Sequence, residues 1–131
     1  MTPLLLTLAL AGLLHIAQFV TASTMANMDV GPGYTTSPRD RAPSRPMRNA
    51  TARMLRAYDN NVQMFPFFAA AVFLIHLTDQ VSAVTLGAAW VYLAARALYI
   101  PAYALGWRPW RSYIWLVAMA CVTVLFIAAL I

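Results

Sequence analysis

The sequence predicts an all-α protein, a polytopic membrane four-helix bundle, and three observations carry that reading. Of its 131 residues, 62% are hydrophobic and only 10% charged, with mean hydropathy +0.66. Soluble domains carry roughly 25% charged residues. Four apolar stretches follow one another: Pro3–Val20, Phe65–Leu77 with a polar lead-in, Val81–Leu105 and Tyr113–Ile131. A membrane-spanning helix needs about 20 mostly apolar residues; the second stretch reaches that length if its helix begins upstream, around Asn61. The charges, finally, fall between the stretches. Arg39, Arg41, Arg45, Arg48, Arg53 and Arg56 separate the first two, and Arg108 and Arg111 the last two.

The first helix is expected over about 3–28. A cleaved signal peptide is the competing reading of Met1–Ser23. It lacks a basic leading segment, and its apolar run exceeds the usual length of roughly 7–15 residues, so a retained helix is the better assignment. Residues 29–45 follow as a loop, where Gly31, Pro32, Gly33, Pro38 and Pro43 oppose regular structure. The second helix is expected over 46–77, with Pro46 in its first turn and Pro66 kinking it. Helices over 82–105 and 109–131 complete a single domain spanning 1–131.

All nine basic residues are arginine, and the pI is near 10.0. Their position beside the spans points to membrane topology rather than to nucleic acid. Positive charge favours the cytoplasmic side. The loop around Thr78–Ser82 has Asp79 and no arginine, so the arginine-bearing loops are expected in the cytoplasm and both termini outside. The sequon Asn49-Ala50-Thr51 then lies on the wrong side for glycosylation. Cys121, the one cysteine, sits deep in the fourth apolar run and reads as a buried, inert thiol.

Polar residues inside the apolar helices mark the candidate site. Arg56, Asn60 and Gln63 stand at i, i+4 and i+7 on one helical face. Arg53 extends that stripe, and Asp59 is spaced to pair with Arg56. In the third helix, Tyr92, Arg96, Tyr99 and Tyr103 share a face. Arg96 lies roughly 22 Å along that helix, at about 1.5 Å per residue. A guanidinium there costs about 2.5–3.5 kcal/mol to insert. Either it turns inward, toward an anion or Asp59, or it snorkels to the headgroups. At the start of the fourth helix, Arg111 and Ser112 could receive an anion, while Trp107, Trp110 and Tyr113 form an interfacial aromatic belt. His15 and Gln18 share a face suited to an interhelical hydrogen bond. His76 and Asp79 read as an interfacial pair. No cluster has metal-ligand spacing, and no glycine-rich phosphate loop is present.

With these residues assembled, the chain resembles the MAPEG family, the membrane-associated proteins of eicosanoid and glutathione metabolism. The resemblance lies in LRAYDNNVQMFPFF, in AARALYIPAY and in the RS pair opening the fourth helix. It implies a homotrimer, with glutathione bound near the cytoplasmic face between subunits, and a bacterial inner membrane location. On this resemblance, Arg53, Arg56, Asp59, Asn60, Gln63, Arg96, Tyr99 and Tyr103 form the cofactor pocket. Arg111 stabilises the thiolate, with Ser112 beside it. Three positions depart from the family pattern: Gln63 stands where glutathione-using members have glutamate, Asp59 replaces a residue that is basic in some of them, and Trp115 falls near a position where a tyrosine contacts the ligand in some members. The implied activity is a glutathione-dependent transferase or peroxidase acting on lipophilic small molecules among the membrane lipids. The rival is a catalytically silent scaffold or lipid-binding subunit.

Overall fold

A computed structural model describes residues 1–131 as helices and connecting loops, with no strand. Helix α1 runs Pro3–Val30, followed by a single turn, α2, at Pro32–Thr35. Helices α3 (Asn49–Leu77), α4 (Ala83–Ala104) and α5 (Trp110–Leu130) follow. All four long helices are long and apolar enough to cross a membrane, and the chain is a polytopic helical bundle.

Local signals set the ends. Thr2 caps α1 by accepting from the Leu5 N–H, with Pro3 in the first turn. Ser82 and Thr85 form a reciprocal capping box at α4, satisfying two backbone donors that a helix start leaves free. Two ends differ from the sequence reading. α3 begins at Asn49 rather than Pro46, and α1 continues to Val30. The Asp29 carboxylate explains both: it accepts from the Arg48 backbone N–H at 3.0 Å and from Arg48 Nε at 2.9 Å. That tie fixes the entry to α3 at Arg48 and holds the end of α1 against it. Pro66 lies inside α3, which continues through it.

α4 packs along α5 and α1 along α3, while α3 also meets α4 and α5. The core draws Leu4 and Ala11 from α1, Phe68, Val72 and Ile75 from α3, Ala89 and Tyr92 from α4, and Ala118, Val122 and Leu125 from α5. Small alanines let the backbones approach, as apolar packing between membrane helices requires. Phe68 stacks on Tyr92 with ring centroids 4.0 Å apart. This core fills the end of the bundle remote from the arginines. Leu13, Ile16, Phe73, Leu98, Val117 and Ile127 point outward, a surface suited to lipid.

Candidate functional site

At the opposite end, the start of α3, the end of α4 and the start of α5 converge. Helical spacing delivers Arg56, Asp59, Asn60 and Gln63 from α3 to one side of a shallow cleft. Tyr99 and Tyr103 come from α4, and Arg111, Ser112 and Trp115 from α5. The cleft consists of two adjoining recesses of about 340 and 220 Å³, which share Asn60, Tyr99 and Arg111.

Three guanidinium groups surround the two tyrosines. Arg56 Nε donates to the Tyr103 hydroxyl at 3.0 Å. Its carbon lies 5.7 Å from the Tyr103 ring centre, and that of Arg111 lies 4.8 Å from the same ring. Arg96 sits 4.5 Å from the centre of the Tyr99 ring. Such contacts stabilise each cation by about 0.5–2 kcal/mol, depending on desolvation. They are partial compensation only. Arg96 is 3% exposed, and its Nε and Nη1 have no hydrogen-bond partner. Asn60 Oδ1 is also buried without a partner. The one ion pair of the chain, Arg48–Asp29, lies elsewhere.

Most sequence-derived candidates therefore meet, with differences in their partners. Arg56 bonds to Tyr103 rather than to Asp59, which stays exposed on the rim. Geometry decides this: Tyr103 lies across the cleft, and choosing it leaves both charges on α3 wetted. Arg96 turns inward rather than snorkelling, but it settles beneath Tyr99 and does not reach Asp59. Arg53 lies outside the cleft. Its Nη1 donates to the Ala104 carbonyl at 3.5 Å, closing the end of α4. The same guanidinium passes close to Gly106 (φ +68), where an added Cβ would come within 3.3 Å of Nη1. Gln63, Arg111 and Ser112 are exposed in the single chain. Leu116, which also lines the cleft, escaped the sequence reading because one leucine in an apolar run carries no signal.

A separate polar contact joins α1 to α3. His15 Nδ1 and Asn61 Nδ2 are 2.9 Å apart, and the imidazole lies 5.2 Å from both the Tyr58 and Phe65 rings. His15 thus makes the expected interhelical bond, whereas the buried Gln18 Nε2 has no partner. His76 and Asp79 form no ion pair.

The sequence pattern of the MAPEG family matches residues 3–131. No curated protein and no solved structure matches the chain. The family match covers all four apolar helices together with the arginine–tyrosine cleft that three of them build. This integral membrane protein belongs to the MAPEG family.

Proposed function

We propose that the cleft binds glutathione and supports its conjugation to lipophilic electrophiles delivered from the bilayer, or the reduction of lipophilic hydroperoxides to alcohols and water as two glutathiones are oxidised to the disulfide. One observation carries the reading: Arg56, Arg96 and Arg111 gather around Tyr99 and Tyr103 without an ion-paired carboxylate. A cationic cluster of this kind suits an anionic tripeptide. Asn60 lines both recesses, and its buried Oδ1 lacks a partner; it would accept from a glutathione N–H group, while Arg96 lies below the cleft and adds charge only.

Glutathione, when bound, supplies a nucleophilic thiol. Arg56 holds carboxylate, and Arg96 adds positive potential from beneath Tyr99. Asp59 is the carboxylate in the cleft suited to an ammonium group, the role that Gln63 cannot take as an anion. Arg111 and Ser112 face the remaining recess. A free thiol has a pKa of about 8.5, and an adjacent cation favours the thiolate; each unit of lowering corresponds to about 1.4 kcal/mol. Arg111 provides that charge and Ser112 a hydrogen-bond donor. Trp115 and Leu116 supply the apolar wall for the electrophile.

A second reading is a silent scaffold, favoured by Asp59, whose charge opposes bound carboxylates. Thermal unfolding of the detergent-purified protein separates the two. Glutathione at a hundred times its dissociation constant adds about 2.7 kcal/mol of stability. An unchanged melting temperature at millimolar glutathione would reject glutathione binding and favour the scaffold.

We also propose a homotrimer and a cytoplasmic arginine-rich end. Exposed Asp59, Gln63, Arg111 and Ser112 on one rim leave the cleft open on a side that a neighbouring subunit would close. Light scattering in mild detergent should give three times the 14.4 kDa chain mass; a single-chain mass would reject assembly. A cysteine at Thr36 should resist impermeant maleimide applied to intact cells, and labelling would reverse the topology.

A further inference from the structure

The loop joining α1 to α3 is fastened at its base and folds around a recess that the proposed site does not use. Asp29 and Arg48 close the base with two hydrogen bonds. Thr35 Oγ1 donates to Asn27 Oδ1 at 2.6 Å, and Arg39 donates twice to the Thr35 carbonyl, at 3.2 and 2.8 Å. Gly31 adopts φ +89, and an added Cβ there would meet Arg45 Nη2. The missing side chain lets the Arg45 guanidinium lie against the start of the loop.

The recess has a volume of about 900 Å³ and is lined by Arg39, Arg41, Arg45, Tyr34 and Ser37, with Asp40 as its one carboxylate. Three cations against one anion leave an excess of two positive charges. Arg48 is already paired with Asp29, whereas the exposed Arg41 and Arg45 side chains have no ion pair within the chain. A second recess of about 450 Å³ adjoins it, sharing Val30, Tyr34 and Arg39. Ala26, Val30, Met47 and Leu55 make this one substantially apolar. A charged hollow thus opens directly beside a greasy one.

Their depth in the bilayer narrows the ligand. α1 has 28 residues, about 42 Å at 1.5 Å per residue, against a hydrocarbon core of roughly 30 Å. With Pro3 near one face of the core, Ser23 stands at the opposite face and Val30 at the outer edge of the headgroup layer beyond it. Both recesses lie at that level.

We propose that these paired recesses bind an anionic phospholipid. Arg41 and Arg45 take its phosphate, and the half-buried Met47 and Leu55 take the glycerol end of its acyl chains. A water-soluble phosphate would engage the arginines and leave the apolar recess without a role.

Native mass spectrometry of the full-length protein, released from micelles containing equal phosphatidic acid and phosphatidylcholine, tests this. Phosphatidic acid should be retained over phosphatidylcholine by about tenfold or more. Arg41→Gln with Arg45→Gln should abolish that preference, and Asp40→Asn should raise it. Arg108→Gln, at the same end of the bundle, should leave it unchanged, and so should millimolar inorganic phosphate. Three results would overturn the assignment: a preference that survives the double substitution, an equal loss in Arg108→Gln, or displacement of the lipid by inorganic phosphate. Because the altered side chains are exposed, the helical melting curve should be preserved, and the gain expected for Asp40→Asn cannot arise from misfolding.

Discussion

The α1–α3 contact and the α3–α4–α5 cleft both place polar side chains among apolar helices, yet they resolve the cost differently. In the first, His15 meets Asn61 at 2.9 Å and is flanked by two aromatic rings. In the second, Arg96 rests beneath Tyr99 with two nitrogens unpartnered, and no ion pair relieves the cluster. A buried polar group with its partner stabilises by about 0.5–1.5 kcal/mol, whereas one without a partner costs about 1–3 kcal/mol. The α1–α3 pair is accordingly read as structural. The cleft retains unmet charge, the condition under which an anionic ligand gains most from binding.

Substitution should divide the two regions. The largest effect is expected for Arg111→Ala. Removing a preorganised electrostatic partner of a developing charge typically costs about 10²–10³ in rate. We therefore expect kcat/KM for glutathione conjugation of a lipophilic electrophile to fall by about a hundredfold, with the melting temperature nearly unchanged. A loss of stability in proportion to the loss of rate would mean that Arg111 is structural.

Arg96→Ala comes next. Buried beneath Tyr99, Arg96 acts on the ligand through its potential rather than by a direct bond, so calorimetric glutathione affinity should fall severalfold. Stability should change little, because the relieved desolvation penalty offsets the lost packing and ring contact with Tyr99. Strong destabilisation by Arg96→Ala without change in affinity would assign Arg96 to folding.

Asn61→Ala should show the reverse pattern at smaller amplitude. It strands a His15 nitrogen, at a cost of about 1–3 kcal/mol, read as a lower melting temperature with glutathione affinity retained. An affinity loss matching that of Arg96→Ala would erase the distinction between the two regions.

Gln63→Glu sharpens the comparison with the smallest effect. It adds a carboxylate to the rim of the cleft, near Asp59. If an ammonium group lies there, calorimetry should show a severalfold gain in glutathione affinity. Weaker binding would show that Asp59 already supplies all the negative charge the cleft accepts.

The amino-acid sequence by itself determined the four spanning helices and which helical faces carry polar groups. Those properties follow from length, hydropathy and the 3.6-residue period, all local to each segment. Arg56, Asn60 and Gln63 were legible as one stripe, and Tyr92, Arg96, Tyr99 and Tyr103 as another, because spacing along a helix fixes the face. Spacing says nothing about what stands across from that face. Only the tertiary structure gave Arg56 to Tyr103 rather than to Asp59, tucked Arg96 under Tyr99, and sent Arg53 to the end of α4. It also joined His15 to Asn61 across 46 positions of sequence, and folded a segment that reads as irregular into a tied loop around a charged recess. Each of these depends on how neighbouring helices rotate and approach. Packing of the whole bundle sets that rotation, and no local pattern encodes it.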